Sequence, residues 1–130
     1  MIAGFVYTLT KSATFEAAHR LPAHDGKCAR LHGHSWRILV EVGADALHAE
    51  GPKAGMAADF GDVGRPLKAL VEESLDHWHL NESTGLDNPT SEAIAEWAYH
   101  RLADAYERLD VTLVAVTVEE TCTSRARYEP

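Results

Sequence analysis

The chain has 130 residues, of which 45% are hydrophobic, as expected for one globular domain with its own core. Its 12 Lys and Arg residues are outnumbered by 20 Asp and Glu residues, giving a net charge of −8 with histidine neutral. This acidic balance argues against nucleic-acid partners and against a membrane-surface protein held by basic residues. No apolar run approaches the roughly 20 residues that span a bilayer. The sequence therefore predicts a single domain over residues 1–130, with no nucleic acid and no membrane as partner.

The cysteine content predicts the compartment. Cys28 and Cys122 are too few for a disulfide scaffold and do not form a CxxC pair. This usage favours a reducing, cytoplasmic location. Residues 1–9 are mildly apolar but follow no basic segment, so we interpret them as part of a first strand rather than as a signal peptide.

The first half of the chain predicts two strands separated by a loop. Residues 5–21 are rich in Val, Tyr, Thr and Phe, which favours an opening strand, with a bulge near Lys11. Proline and an Asp-Gly pair make residues 22–33 a loop. Over residues 34–42, apolar side chains recur at every second position, which is the period of a half-buried strand. Residues 45–55 are rich in turn-forming residues and predict a second loop.

The second half predicts two helices and then two strands. Apolar residues recur at helical spacing over residues 61–75. Another helix follows Pro89, with Thr90 as its N-cap. Its predicted apolar stripe consists of Ile94, Ala98, Leu102, Ala105 and Leu109. Residues 111–121 alternate again, and a short strand closes the chain at residues 125–129.

The order of these elements indicates the fold class. Strand, strand, helix, helix, strand, strand is an α+β order with antiparallel pairing, unlike the strict alternation of a doubly wound sheet. In the strand at residues 111–121, the pattern places Val114, Val116 and Val118 on one apolar face. Glu120 has the same parity, so it is predicted to end that face.

Three of the 8 histidines form a candidate metal site. His32 and His34 are two residues apart, so on a strand both imidazoles point to one face. His19 ends the first predicted strand, where a hairpin-like pairing brings it beside His34. Three neutral imidazoles with an open fourth position are typical of catalytic zinc, and imidazole also suits other transition metals. Taken alone, the His32–His34 pair is more often two polar residues at a strand edge.

Cys28 is a candidate for the chemistry at this site. It lies four residues before His32, between Lys27 and Arg30. Nearby positive charge favours the thiolate, which is the reactive form of cysteine, so Cys28 is a candidate base or nucleophile. It is equally a candidate fourth zinc ligand, which would close the site, and a lone cysteine is usually an inert apolar residue.

Two further patterns concern carboxylates. Asp76 and His77 are adjacent, and such a pair can relay protons, although their place after a helix explains them equally well. A carboxylate at Glu120 needs a partner or a ligand. Paired N–H donors, such as those of a guanine or pterin ring, suit it in a bidentate arrangement. The commoner outcome for a lone Glu is a frayed strand end with a solvated side chain.

Five segments together resemble the 6-pyruvoyl-tetrahydropterin synthase superfamily. They are FEAAHRL at residues 15–21, CARLHGH at 28–34, LDH at 75–77, NPTSE at 88–92 and ETCT at 120–123. The spacing within the second segment is most similar to the bacterial 6-carboxy-tetrahydropterin synthases of the queuosine pathway. The match extends over nearly the whole chain, and five segments in the right order are far more specific than any one of them.

The resemblance implies a tunnelling fold, in which a four-stranded antiparallel sheet carries two helices on one face. It also implies homohexamers, built as two stacked trimers, with active sites between subunits. The implied zinc ligands are His19, His32 and His34. The implied catalytic set is Cys28, Asp76 and His77. Glu120 would anchor a pterin ring, helped by Thr90 and Ser91.

The implied reaction converts 7,8-dihydroneopterin triphosphate to 6-carboxy-tetrahydropterin, acetaldehyde and triphosphate, with zinc as a Lewis acid. One alternative is a 6-pyruvoyl-tetrahydropterin synthase, which eliminates triphosphate but keeps the three-carbon side chain. Another is a non-catalytic relative that binds zinc or a pterin. An aldolase-like member usually has Glu at the position of Cys28, so this residue argues against that activity.

The charge is unevenly distributed along the chain. Residues 1–40 carry five basic and two acidic side chains, a net of +3, whereas residues 41–130 carry −11. The segment around the proposed metal loop is therefore basic, and its local field favours an anionic small substrate. Near the C-terminus, Arg125 and Arg127 are further candidates for holding phosphate, although a solvated face explains them more simply.

Overall fold

In the computed structural model, residues 4–130 are described, so residues 1–3 of the predicted N-terminal strand segment lie outside them. The strands are β1 (Tyr7–His19), β2 (His32–Ala44), β3 (Trp78–His79), β4 (Thr112–Thr121) and β5 (Ser124–Tyr128). The helices are α1 (Phe60–Leu70), α2 (Leu80–Ser83) and α3 (Ser91–Glu107). A 3-10 turn at Lys27–Ala29 precedes β2, and a π turn at Val71–Leu75 continues α1. Among the described residues, every helix is too short or too polar to cross a bilayer.

The sheet has the strand order β3-β1-β2-β4-β5. The four long strands pair antiparallel, as predicted, and β3 adds a parallel pair to the outer edge of β1. The α+β prediction is confirmed, but the predicted count of four strands is wrong. Because β3 has only two residues, it is too short to show an alternating pattern in the sequence.

The pairing of β1 with β2 positions the histidines. Thirteen residues of each strand pair without a shift in register, and His19 lies opposite His32. The bulge predicted near Lys11 is wrong, since Lys11 pairs regularly with Val40. Strand β2 begins at His32, two residues earlier than predicted, so both histidines of the HGH segment belong to the strand. Because side chains alternate, His19, His32 and His34 share the face that carries the core.

Two helices cover that face. Helix α1 buries Val63, Leu67 and Leu70 against it. Helix α3 begins as predicted, because the Thr90 hydroxyl accepts a hydrogen bond from the Ala93 N–H at 3.1 Å. The predicted stripe is wrong at its end, since α3 stops at Glu107, before Leu109, and Ala105 is only half-buried. Tyr106 is buried instead, and its hydroxyl donates to the Val63 carbonyl at 2.7 Å, joining α3 to α1.

A bulge in β4 corrects one predicted face. Glu41 pairs with Ala115 and Val42 pairs with Leu113, which leaves Val114 as the extra residue. The core face therefore carries Leu113 followed by Val116 and Val118, rather than Val114. Beyond the bulge the alternation is regular as far as Val118, and Glu120 reaches the histidines.

Candidate metal centre

The three predicted ligands converge at the end of the β1–β2 pair. The candidate ligand nitrogens of His19, His32 and His34 all lie within 4.8 Å of one another. Their ring centroids are 4.6 to 5.3 Å apart, and the rings meet edge to face. Strand pairing alone produces this convergence, because two ligands are direct cross-strand partners and the third is two residues further along β2.

Backbone carbonyls orient two of the rings. The His19 Nδ1–H donates to the Pro89 carbonyl at 2.9 Å, and the His32 Nδ1–H donates to the Arg30 carbonyl at 2.7 Å. A neutral imidazole that donates from Nδ1 keeps a free lone pair on Nε2, which is the arrangement of metal-bound histidines. The Nε2 atoms of His19 and His34 are buried and have no hydrogen-bond partner among residues 4–130. A transition-metal ion fits this donor set, and three imidazoles suit zinc.

The surroundings of His19 favour its neutral imidazole. His19 is fully buried, and burial is the main reason that its pKa lies below the ordinary value. Trp36 forms an apolar floor, with its ring centroid 4.8 Å from that of His19 and 5.3 Å from that of His34. The Trp36 indole N–H donates to the Ala17 carbonyl at 3.1 Å, which fixes the ring. His19 is therefore held in the neutral form that binds a metal.

Glu120 lies beside the cluster. Its carboxylate oxygens are 3.5 Å from His34 Nε2 and 3.9 Å from His19 Nε2. The Ser91 hydroxyl donates to the same carboxylate at 3.5 Å. Of the three residues predicted to bind a ring, the structure thus brings Ser91 and Glu120 together. The hydroxyl of the third, Thr90, is engaged as the N-cap of α3.

Asp76 and His77 form a hydrogen-bonded pair at the outer edge of β1. His77 Nδ1 lies 2.9 Å from Asp76 Oδ2, and Asp76 Oδ1 accepts from the Glu16 N–H at 2.9 Å. The Glu16 N–H, followed by His77, holds the pKa of Asp76 below its ordinary value. The His77 N–H donates to the Glu16 carbonyl, and His77 has a φ of 62°, in a region that costs energy for a residue with a side chain.

Within residues 4–130, no hydrogen bond or ion pair joins the Asp76–His77 pair to the histidine cluster. A cleft of about 570 Å³ is lined by residues that include Glu16, His77 and, from the cluster, His34. Along an extended strand, Glu16 is roughly 10 Å from His19, and its side chain points to the opposite face. The His77 side chain is 79% exposed. Within one chain, the pair therefore lies at the edge of β1 beside Glu16 and is not hydrogen-bonded to the three histidines.

Cys28 lies in the loop between the two histidine-bearing strands. It is half-buried in the 3-10 turn, and its carbonyl accepts from the Leu21 N–H at 2.9 Å. Within residues 4–130, its thiol makes no hydrogen bond to Asp76, His77 or the histidine cluster, and the three-histidine group does not include it.

Sequence reasoning missed the groups that support the ligands. The Asn81 side chain accepts from the Arg20 N–H at 3.0 Å and donates to the Arg20 carbonyl at 2.9 Å. It also donates to the Asp87 carbonyl at 3.2 Å. Asn81 therefore fixes, by hydrogen bonds, the backbone of the residue that follows His19. Every residue has a backbone carbonyl, so the sequence does not show that the carbonyl of Pro89 orients a histidine. Only the folded chain reveals this.

Comparison with known proteins identifies the family. A family model described as 6-pyruvoyl tetrahydropterin synthase matches residues 8–130. The chain belongs to this family. The 6-carboxy-5,6,7,8-tetrahydropterin synthase of Synechocystis is 49% identical over 123 residues, which cover 95% of this chain and 93% of that protein. The Bacillus subtilis protein of the same name is 30% identical over 135 residues, or 97% and 87% of the two chains.

A solved structure of the family shares the fold. The 6-pyruvoyl tetrahydropterin synthase of Caenorhabditis elegans superposes with a TM-score of 0.79 over 95% of each chain, at 24% identity. The tunnelling fold implied by the sequence resemblance is therefore confirmed, with the short strand β3 added to its sheet.

Proposed function

We propose that this chain is a zinc-dependent 6-carboxy-tetrahydropterin synthase. It would convert 7,8-dihydroneopterin triphosphate and one water molecule to 6-carboxy-5,6,7,8-tetrahydropterin, acetaldehyde and triphosphate. The observation that carries this proposal is the cluster of His19, His32 and His34 beside Glu120, with two buried nitrogens free to bind a metal. The resemblance to relatives named for this activity gives the reaction.

The chain's own residues would hold the metal and the ring. The three histidines would bind zinc, with the Pro89 and Arg30 carbonyls fixing two of the rings. When bound, zinc supplies Lewis-acid polarisation of the substrate's side-chain hydroxyls. Glu120, oriented by Ser91, would accept paired N–H donors of the pterin ring in a bidentate hydrogen bond.

Cys28 and His77 would move protons on opposite sides of the substrate side chain. A Cys28 thiolate would act as the base on one side. His77 uses Nδ1 toward Asp76, which leaves Nε2 as the atom that exchanges protons on the other side. Asp76 orients the imidazole and stabilises its protonated form, as a carboxylate does in a catalytic triad.

The separation of these groups supports an active site shared between subunits. The His77 side chain is exposed, and no hydrogen bond or ion pair among residues 4–130 joins the Asp76–His77 pair to the histidines of its own chain. We therefore propose a homohexamer of two trimers, in which one subunit supplies the metal and Cys28 and another supplies His77. The product suits the biosynthesis of queuosine or of another 7-deazapurine, and a free thiol suits the reducing cytoplasm.

The decisive experiment is an acetaldehyde assay with zinc-loaded protein and dihydroneopterin triphosphate. We expect acetaldehyde and triphosphate in equal amounts from the parent protein, and neither from Cys28→Ala. Cys122→Ala is the matched control, because this cysteine is exposed in the β4–β5 turn, and it should retain activity. Triphosphate without acetaldehyde would instead indicate a pyruvoyl-forming enzyme. Binding of zinc and pterin without turnover would indicate a non-catalytic relative.

A further inference from the structure

Half of the Lys and Arg residues that form no ion pair among residues 4–130 lie in one loop. Six of the 12 Lys and Arg residues form ion pairs, namely Arg37, Lys53, Arg65, Lys68, Arg125 and Arg127. Three of the others, Arg20, Lys27 and Arg30, lie in residues 20–31, which we call the cationic loop. All three are exposed, and no carboxylate among residues 4–130 lies within 4.0 Å of them.

The charges within the cationic loop do not cancel. Its one acidic residue, Asp25, is fully exposed and approaches only His24, at 4.0 Å. Unpaired charges of one sign create a local potential that attracts counter-ions, whatever the net charge of the protein. Three such cations within one loop, without carboxylate partners, leave that loop free to bind an external anion.

The structure argues against phosphate binding by Arg125 and Arg127, the other basic residues considered for that role. Arg125 pairs with Glu119 at 3.6 Å. Arg127 donates to both oxygens of Glu41, with N···O distances of 2.8 and 3.2 Å, and also to Glu129. Their charges are neutralised within the sheet, so they are poorly suited to bind an anion.

The backbone of the cationic loop is fixed relative to the metal ligands. Arg20 directly follows His19, and its N–H and carbonyl are both bound by Asn81. The carbonyl of Arg30 accepts from His32. The bond from the Leu21 N–H to the Cys28 carbonyl closes the base of the loop. Two of the three cations therefore start from backbone positions held beside metal ligands, and the third, Lys27, adjoins Cys28.

We propose that the cationic loop binds the triphosphate tail of the substrate. Arg20 and Arg30 offer planar guanidinium groups that bind phosphate oxygens in pairs, and Lys27 offers a point charge. This inference rests on the proposed function, which supplies a substrate with such a tail. Because triphosphate is also the leaving group, the loop would stabilise the charge that the leaving group develops.

Binding of two unreactive compounds tests the inference without turnover. Neopterin and neopterin triphosphate share one fluorescent ring and differ only in the tail, so the ratio of their Kd values isolates the contribution of the phosphates. In the zinc-loaded parent we expect the triphosphate to bind at least about tenfold more tightly, as hydrogen bonds to charged groups allow. In the double variant Lys27→Gln and Arg30→Gln, most of this ratio should be lost, with the Kd of neopterin unchanged.

Two further variants provide controls. Lys27→Arg keeps the charge and should keep the ratio. The double variant Arg101→Gln and Arg108→Gln removes the same charge from α3 and its C-cap. These two cations form no ion pair among the described residues, and their loss should leave the ratio of Kd values unchanged. Zinc content is measured in each variant, because loss of metal would weaken the binding of both compounds.

The outcomes separate the inference from the proposed function. An unchanged ratio in the Lys27 and Arg30 variant, or an equal loss in the α3 control, would overturn the inference even if the parent releases acetaldehyde. Equal affinity of the parent for the two compounds would also overturn it. If the parent binds neither compound and forms no acetaldehyde, the proposed function fails as well.

Discussion

Each ring nitrogen of His19 and His32 has a separate purpose at this centre. Nδ1 donates to a backbone carbonyl, which leaves Nε2 as the nitrogen with a free lone pair for a metal. Strand alternation predicted which histidines share a face, because the direction of a side chain is a local property of extended backbone. The choice of nitrogen was not predictable, since it depends on carbonyls such as that of Pro89, 70 residues from His19.

The first prediction at this scale concerns His32. His32→Gln should lose most of the bound zinc, because two imidazoles bind the ion much more weakly than three. His48→Gln is the matched control, since His48 is exposed and lies outside the cluster. Zinc is measured after dialysis against a weak chelator. Equal zinc content in the two variants would show that His32 is not a ligand.

The lowered pKa of Asp76 leads us to expect that the stability of the fold depends on pH. Its folded pKa is lowered, mainly by the Glu16 N–H, so its carboxylate stabilises the fold above the unfolded pKa of about 3.9. That stabilisation is lost as pH falls through the lower folded pKa. Between pH 7 and pH 3, the parent should therefore lose more stability than Asp76→Asn in urea unfolding. The exposed Asp104→Asn should follow the parent, and parent-like behaviour of Asp76→Asn would contradict the prediction.

At the scale of elements, the Asn81 side chain continues the hydrogen bonding along the edge of β1 beyond the two-residue strand β3. Its amide binds the backbone of Arg20 as a neighbouring strand would, and it also binds the loop at Asp87 that leads to Pro89. The candidate ligand His19 and the carbonyl that orients it are thus tied together by one side chain. The sequence pattern did not indicate this, because a single amide has no periodicity.

Removal of this amide should affect stability and metal binding together. Asn81→Ala loses three hydrogen bonds, which lowers the free energy of unfolding by about 1–3 kcal/mol. It should also release zinc faster to a chelator, because Arg20 and the Asp87 loop are no longer joined. Asn88→Ala, which loses one bond of 3.4 Å to the Ala23 N–H, is the control with a smaller effect. Zinc release at the parent rate from Asn81→Ala would limit the residue to a purely structural role.

At the scale of the whole molecule, the exposed Asp76–His77 pair requires a partner if it is to act at the metal. The sequence placed these residues at a helix end but did not indicate which metal site they approach. Within one chain, the strand geometry places them at the edge of β1 beside Glu16, in a cleft that His34 of the cluster also lines. An exposed pair at a sheet edge is suited to an intersubunit site.

Subunit mixing tests this arrangement. Cys28→Ala and His77→Ala should each be inactive alone, but their co-expressed mixture should recover activity. With random 1:1 assembly, about one shared site in four contains both native residues. Two batches of Cys28→Ala carrying different tags provide the control and should stay inactive. A mixture as inactive as its components would show that both residues act within one subunit or that subunits do not share sites.

The sequence by itself determined the features that depend on neighbouring residues. Alternation placed His32 and His34 on one face, the cap at Thr90 began α3, and parity predicted the face of Glu120. The tertiary structure alone decided the register that sets His19 opposite His32, the bulge at Val114, and the position of the Asp76–His77 pair at the edge of β1. Periodicity and capping follow from local backbone geometry, whereas register and enclosure arise from contacts between residues far apart in the chain.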